Sequence, residues 1–267
     1  MPFELAPAKI NLALHVRARE PDGFHRIETI FAFAADGDRL QAEPSDALEL
    51  TIEGPFAADL SAGEDNLVLR AARALQTASG TAEGAALRLF KALPVASGIG
   101  GGSADAAAAL RLLSRLWRTD VPLEPIARGL GSDVPACLHG RPARGEGRGD
   151  VLTAVPVAEA PLLLINPGVA VPTGPVFAAW DGLDRGPLTD WSTGRNDLEL
   201  PAIAICPVIA PLIDWLRAQP GATLARMSGS GATSFALFGD DQDLATAAEA
   251  AARDWPGAWV LPTRLAC

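Results

Sequence analysis

The sequence predicts an α+β protein, because its strand and helix patterns are interleaved without the regular βαβ alternation of a doubly wound sheet. Apolar residues alternate with other residues over 10–16, which indicates a half-buried strand, whereas residues 66–78 and 241–254 carry helical patterns. With 267 residues, 49% of them hydrophobic and 20% charged, the chain is long enough for one large domain or two modest ones.

The remaining elements follow from the same two patterns. Alternating or short apolar runs predict further strands at 48–53, 86–92, 161–165, 222–227, 233–238 and 258–261. Helical patterns occupy 103–117, 122–130 and a segment near 208–218. The segment 141–150 is rich in Gly and Arg and separates two halves. We therefore expect one domain over 1–150 and a second over 151–267.

The net charge of −10 argues against a nucleic acid as partner, because neutralising a phosphate backbone requires a basic surface. A phosphorylated small molecule is compatible with this charge, since one lysine, a helix N-terminus or a Mg²⁺ ion supplies a local positive field. We therefore expect a small-molecule ligand.

Cysteine usage and hydropathy predict a cytoplasmic protein. Cys137, Cys206 and Cys267 are odd in number and widely spaced, which argues against a disulfide framework or a zinc site. The N-terminus lacks a signal-peptide pattern. The most apolar segment, 201–216, is interrupted by Pro207 and Pro211, so we expect no membrane-spanning segment.

A glycine-dense segment, "PVASGIGGGSADAAAAL" (94–110), precedes an alanine-rich helical pattern. It has no lysine, so it is not a Walker A loop, and Ser103 occupies the third glycine position of a dinucleotide fingerprint. Two interpretations remain open from the residues alone. The loop is either an anion cradle of backbone N–H groups at a helix N-terminus, or a tight turn with Ser103 as N-cap.

Three segments in this order resemble the signature motifs of the GHMP kinases, a family named for galactokinase, homoserine kinase, mevalonate kinase and phosphomevalonate kinase. They are "APAKINLALHV" (6–16), the glycine segment and "RMSGSGATSFALF" (226–238). Two more, "PDGFHRIETIF" (21–31) and "LGSDVPACLHG" (130–140), resemble the family members whose substrate is CDP-methylerythritol. The resemblance covers nearly the whole chain.

This resemblance implies a two-domain GHMP kinase fold with the active site in the cleft between the domains. The N-terminal, ATP-binding domain would be like the second domain of ribosomal protein S5, and the C-terminal domain would be ferredoxin-like. ATP would be the co-substrate and Mg²⁺ the metal ion. The small-molecule acceptor would be CDP-methylerythritol, phosphorylated on its 2-hydroxyl in non-mevalonate isoprenoid precursor biosynthesis.

Two residues are implied to be catalytic. Lys9 and Asn11 are two apart on a predicted strand and therefore share a face, which the residues alone indicate is a solvated edge. The resemblance makes Lys9 the catalytic lysine and Asn11 a substrate-binding residue. Asp133 precedes a proline as helix caps do, but the resemblance makes it the base that deprotonates the acceptor hydroxyl.

The resemblance also implies a pocket for the cytosine base. His25 would hydrogen-bond the base, while Phe24, where family members often carry Tyr, and Phe177 would stack on it. Taken alone, His25 is an ordinary turn histidine and Phe177 a core residue. The second glycine loop would line the substrate phosphates with Ser228, Gly229, Ser230 and Gly231.

The nucleotide side of the site is assigned by the same resemblance. The ATP phosphate loop would consist of Pro94, Val95, Ala96, Ser97, Gly98, Ile99, Gly100, Gly101, Gly102, Ser103 and Ala104. The adenine side would consist of Asn66, Leu67, Val68 and Lys91. From the residues alone, each of these could equally be a helix-start or surface residue. Ser103 is also the candidate Mg²⁺ ligand, and Asp105 is expected to interact with the helix dipole.

Two rival functions remain. Another GHMP kinase would act on mevalonate, homoserine or a sugar, but none of these substrates has a base for the "PDGFH" segment to stack. A non-catalytic ligand sensor on the same fold has no need for both Lys9 and Asp133. A dinucleotide-dependent oxidoreductase is a distant third, because the fingerprint fails.

Overall fold

A computed structural model describes residues 3–266. The described strands are β1 (Glu4–Arg19), β2 (His25–Ser45), β3 (Leu48–Glu53), β4 (Gly84–Phe90), β5 (Ala143–Glu146), β6 (Val151–Ala154), β7 (Pro161–Asn166), β8 (Ala222–Met227), β9 (Ser234–Phe238) and β10 (Trp259–Ala266). The helices are α1 (Leu67–Ser79), α2 (Gly101–Leu116), α3 (Leu123–Leu130), α4 (Val134–His139), α5 (Thr173–Ala178), α6 (Glu199–Ile205), α7 (Ile209–Arg217) and α8 (Asp241–Asp254), with a short 3₁₀ turn at Ala57–Asp59.

Every element named from the sequence is present, with ends that differ by a few residues. The largest omission from the sequence prediction is β2, a 21-residue strand. The hairpin of β5 and β6 was also missed, and it occupies the segment expected to be a domain boundary. The short helices α4, α5 and α6 were missed as well, because a helix of six or seven residues shows barely two turns of a periodic pattern.

One compact unit comprises, among the described residues, 3–8, 36–95 and 100–140. Its sheet has β4 in the middle, parallel to β3 and antiparallel to the last part of β2. Helix α1 begins after Asn66, whose side-chain oxygen accepts a hydrogen bond from the Val68 N–H, and ends at Gly80 in the left-handed conformation. Helix α2 contacts α1 and α4 and buries its alanine-rich face.

The second compact unit comprises, among the described residues, 9–35, 96–99 and 141–266. Its antiparallel sheet has the order β8–β9–β7–β10–β2, and β5 pairs with β2 on the segment Thr29–Phe31. Helices α7 and α8 pack on this sheet through one core cluster that contains Leu163, Leu212 and Phe238. A second cluster gathers apolar residues of β1, β2, α5 and α6, with Phe177 and Trp180 packed against it.

These units do not coincide with the expected division at residue 150, since residues 9–35 and 96–99 belong to the same unit as the C-terminal half. Strands β1 and β2 each contribute residues to both units, because they run through residues 8–9 and 35–36. The division into domains 1–150 and 151–267 stays a prediction.

Cys137 and Cys206 are buried thiols that form no disulfide, and Cys267 lies outside the described residues. Within residues 3–266, no helix combines the length and the apolar character needed to cross a membrane.

Candidate active site

The first group of candidate residues lies at the start of β1. Lys9 and Asn11 share one face as the alternation predicts, and the Lys9 ammonium donates a hydrogen bond of 2.8 Å to the Asn11 side-chain oxygen. The expectation of a solvated edge is wrong, since only 3% of Lys9 and 2% of Asn11 are exposed. The Lys9 Nζ also lies 5.3 Å from the centroid of the Phe31 ring on β2, which helps to bury this face.

A hydrogen-bond chain fixes the direction of the Asn11 amide and, through it, the position of Lys9. The Asn11 Nδ2 donates to the Thr29 hydroxyl over 2.8 Å, and that hydroxyl donates to the Ala13 carbonyl over 2.6 Å. The Asn11 oxygen is therefore turned towards the ammonium. Thr29 was missed from the sequence because it lies on the unrecognised strand β2.

The two glycine loops meet within the second unit. Gly98 has a positive φ of 79°, and a Cβ there would lie 2.5 Å from the Ser228 carbonyl oxygen, so only glycine allows this approach. The Ser228 hydroxyl donates to the Gly98 carbonyl and accepts from the Asn11 backbone N–H, each over 3.1 Å. Ser228 thereby joins β1 to both loops, while the hydroxyls of Ser230 and Thr173 lie 2.9 Å apart.

The second half of the central loop opens helix α2. Gly101 and Gly102 are already helical, and Gly100 occupies the N-cap position with no side-chain capping bond. This excludes the interpretation of Ser103 as the N-cap and places its hydroxyl in the first turn. The first turn of any helix has N–H groups without intrahelical acceptors. The start of α2 therefore has the backbone geometry that an anion cradle requires, and its role as the ATP phosphate loop stays a prediction.

Two of the predicted adenine-side residues lie beside this helix start. Leu67 is close to Gly102, because a Cβ atom at Gly102 would lie 3.4 Å from a methyl carbon of Leu67. Lys91 is close to Gly101, because a Cβ atom there would lie 3.0 Å from the Lys91 Nζ. Asn66, by contrast, is the N-cap of α1, and Val68 is a core residue that is 1% exposed.

Lys91 is the centre of a buried ionic cluster. Its ammonium donates to the carboxylates of Asp38, over 2.5 Å, and Asp105, over 2.6 Å. Burial by itself would lower the pKa of Lys91, but the two carboxylates outweigh it and raise that pKa. Asp105 therefore binds Lys91, whereas an interaction with the helix dipole was expected.

The same cluster perturbs Asp105 more strongly. Burial, together with the neighbouring charge of Asp38, raises the pKa of Asp105 to about 7, although Lys91 acts in the opposite direction. Its Oδ1 is buried and has no hydrogen-bond partner among the described residues. The other carboxylate, Asp38, also accepts from the backbone N–H groups of Ala92 and Leu93, so this cluster ties β2 and β4 to α2.

Asp133 precedes helix α4 as the sequence indicates. It occupies the N-cap position, yet its side chain makes no capping hydrogen bond. The cap interpretation, which the sequence alone favours, therefore does not account for this carboxylate.

The candidate base pocket is centred on His25, the first residue of β2. The centroid of its ring lies 5.1 Å from that of Phe177, and Trp180 contacts it edge-on at 5.7 Å. Only 8% of His25 is exposed, and its Nε2 is buried without a hydrogen-bond partner in the described part of the chain. Burial, with a smaller contribution from Arg19, lowers the pKa of His25, which favours the neutral imidazole.

Phe24 is largely exposed to solvent, unlike the adjacent His25, since 52% of its surface is accessible. Its ring contacts the guanidinium of Arg148, whose Cζ lies 3.9 Å from the ring centroid. Neither Trp180 nor Arg148 was identified from the sequence, because their contacts join residues more than 120 positions apart.

Comparison with known proteins shows the family to which this chain belongs. Residues 66–153 match the GHMP kinases N terminal domain, and residues 184–257 match the GHMP kinases C terminal domain. A 4-diphosphocytidyl-2-C-methyl-D-erythritol kinase of Rhizorhabdus wittichii is 54% identical, covering 99% of this chain and 94% of the relative. One of Cereibacter sphaeroides is 52% identical, covering 97% of this chain and 98% of the relative. The chain belongs to the 4-diphosphocytidyl-2-C-methyl-D-erythritol kinase family of the GHMP kinases.

A crystal structure of a kinase with the same name supports this assignment. It covers the whole of both chains with 37% identity and a TM-score of 0.84. The predictions of a GHMP kinase, of its two-domain α+β fold and of an ATP-dependent small-molecule kinase are confirmed. The roles of the individual site residues stay predictions.

Proposed function

We propose that this kinase transfers the γ-phosphoryl group of ATP to the 2-hydroxyl of CDP-methylerythritol. The hydroxyl oxygen forms the new bond to phosphorus while the bond between the γ-phosphorus and the bridging oxygen breaks, which releases ADP. This reaction belongs to non-mevalonate isoprenoid precursor biosynthesis, and we propose that it takes place in the cytoplasm.

The observation that carries the substrate assignment is the buried Nε2 of His25. A buried polar nitrogen without a partner costs about 1–3 kcal/mol, so a fold retains it chiefly where a ligand completes the hydrogen bond. The aromatic rings of Phe177 and Trp180 contact the His25 imidazole, and such rings are suited to stacking on a planar base. Cytosine offers both a planar face and ring-edge hydrogen-bonding atoms, whereas mevalonate and homoserine have no ring.

Lys9 and Asp133 divide the catalytic work in this proposal. Asp133 orients the acceptor hydroxyl and takes its proton from its position immediately before helix α4. The Lys9 ammonium stabilises negative charge on the acceptor oxygen and on the transferring group. The chain through Asn11 and Thr29 holds the ammonium in a defined position, which is what electrostatic stabilisation requires.

The phosphates of ATP would bind at the start of α2, where backbone N–H groups and the helix dipole favour an anion. Leu67 beside Gly102 supplies an apolar contact for the purine. Mg²⁺, when bound, neutralises charge on the phosphates. The Ser103 hydroxyl fits such an ion, because it is an oxygen donor in the first turn that does not cap the helix, and phosphate oxygens would complete the ligand set.

A phosphotransfer assay tests the proposal. Purified protein, ATP and Mg²⁺ are incubated with CDP-methylerythritol or, in parallel, with mevalonate, and the phosphorylated product is identified by mass. We expect product only from CDP-methylerythritol. Product from mevalonate alone would contradict the substrate assignment, and no product from either would contradict the proposal as a whole.

A substitution of Asp133 tests its assignment as the catalytic base. Asp133→Asn should lower kcat by roughly 10²–10⁴-fold while ATP binding persists, because the general base is lost. Asp240→Asn is the matched control, since Asp240 is an N-cap whose side chain accepts from the Asp243 N–H and Asn caps equally well. An unchanged kcat in Asp133→Asn would remove the catalytic role.

A further inference from the structure

Two turns of the second unit lie side by side near the candidate base pocket. The turn between β1 and β2 is closed by hydrogen bonds between Glu20 and Phe24 and between Gly23 and Glu20, of 2.7 and 2.9 Å. The turn between β5 and β6 is attached to β2, because the Ile27 N–H donates to the Gly147 carbonyl over 2.8 Å. Residues of both turns line one cavity of about 420 Å³.

Arg148 connects these turns through its side chain. Its guanidinium lies over the Phe24 ring and also forms an ion pair with Asp22. The other carboxylate oxygen of Asp22 accepts from the Phe24 backbone N–H over 3.1 Å. Asp22 thus holds both the backbone of Phe24 and the cation that covers its ring.

Phe24 keeps 52% of its surface exposed even though the guanidinium covers part of one face. A ring held on one face by a cation is a partly preorganised stacking surface, because the contact favours one side-chain orientation before a ligand arrives. An exposed phenylalanine without such a contact would lose rotamer freedom when the ligand binds.

We infer that Arg148 is a positioning residue for base recognition, which fixes the Phe24 ring so that its open face stacks on the cytosine of the substrate. This inference rests on the proposed function. It assigns a specificity role to the turn between β5 and β6, where the sequence indicates only a domain boundary. Arg148 acts through Phe24 and does not touch the reacting atoms.

The molecule provides a matched contact elsewhere. Arg39 lies over the ring of Phe3 with its Cζ 5.1 Å from the ring centroid, and Phe3 is 50% exposed. This second pair belongs to the other compact unit and has no predicted ligand. Arg39→Ala therefore removes the same kind of contact without touching the candidate base pocket.

The test measures steady-state kinetics of the full-length wild type, Arg148→Ala, Arg148→Lys, Phe24→Leu, Arg39→Ala and the double variant Arg148→Ala/Phe24→Leu. We expect Arg148→Ala to raise the KM for CDP-methylerythritol about two- to fivefold, the size of an exposed cation–π contact. The kcat and the KM for ATP should stay unchanged, Arg148→Lys should restore part of the affinity, and Arg39→Ala should match the wild type.

The double variant separates positioning from direct contact. If Arg148 acts through Phe24, adding Arg148→Ala to Phe24→Leu leaves the KM where Phe24→Leu alone puts it. An unchanged KM in Arg148→Ala, or an equal increase in both backgrounds, would overturn the inference. A wild type that does not phosphorylate CDP-methylerythritol would instead overturn the proposed function, and this inference with it.

Discussion

Lys91 and His25 are both buried, but their surroundings differ. The Lys91 ammonium contacts two carboxylates in one compact unit, so its charge is neutralised within the fold. The His25 Nε2 in the other unit has no hydrogen-bond partner among the described residues, and the imidazole contacts the rings of Phe177 and Trp180. Burial alone therefore does not distinguish a structural polar residue from a ligand-binding one, and the surroundings of each buried group have to be compared.

This difference indicates what each region contributes. The Lys91 cluster ties α2 to β2 and β4 beneath Gly101, and thereby holds the helix start that is proposed to bind phosphates. The His25 cluster retains a hydrogen-bonding atom that the fold itself does not use. The first region should respond to mutation mainly in stability and the second mainly in substrate affinity.

The largest expected effect is that of Lys91→Met on stability. Removing the ammonium leaves Asp38 and Asp105 buried without their cation, which should lower the free energy of unfolding by about 3–5 kcal/mol. Urea denaturation measures this loss. The control Arg264→Met breaks an exposed ion pair with Asp241 and should cost at most about 1 kcal/mol. A Lys91→Met protein as stable as this control would contradict the structural role.

His25→Phe should give the opposite pattern. The ring can keep its contacts with Phe177 and Trp180, while the unpaired nitrogen is lost, so the free energy of unfolding should stay constant or increase. The KM for CDP-methylerythritol should rise about tenfold, which corresponds to one hydrogen bond to the base. The exposed His139→Phe serves as control in the same kinetic assay. If His25→Phe lowered the free energy of unfolding and left the KM for CDP-methylerythritol unchanged, the ligand-binding role of His25 would be contradicted.

A smaller effect concerns the pH dependence of stability. Because the folded pKa of Asp105 is raised to about 7 from its ordinary 3.8, the folded state binds this proton more tightly than the unfolded chain does. The stabilising contribution is complete below pH 3.8 and is lost as the pH rises towards 7 and beyond.

Asp105→Asn removes this titration. Urea midpoints of wild type and variant at pH 5.0 and 7.5 should therefore show that the wild type loses stability relative to Asp105→Asn as the pH rises. A difference between the two proteins that does not change with pH would show that Asp105 stays ionised across this range.

Local patterns in the sequence predicted most of the secondary structure and one feature of the site. The alternation over 10–16 put Lys9 and Asn11 on one face, which the structure confirms with a direct hydrogen bond. Strand β2 was missed because Gly37, Asp38 and Pro44 interrupt its apolar pattern and several consecutive residues near Phe31 are buried. Such a strand does not alternate cleanly.

Long-range contacts explain the rest. The face of Lys9 is buried because Phe31 comes from another strand, and no local pattern reports this. Arg148 and Trp180 likewise reach the residues of the "PDGFH" segment from more than 120 positions away. Motif resemblance supplied the names of the site residues, but the partners that position them became visible only in the fold.

The most direct test of the His25 assignment is a side-chain ¹H–¹⁵N spectrum of the three histidines during a titration with CDP-methylerythritol. His25→Phe identifies the His25 signals by their disappearance. We predict that the Nε2 resonance of His25 shifts in proportion to saturation, with the imidazole remaining neutral at pH 7, while those of His15 and His139 change little. A His25 Nε2 resonance that stays constant at saturation would contradict the claim that this buried nitrogen is reserved for the base.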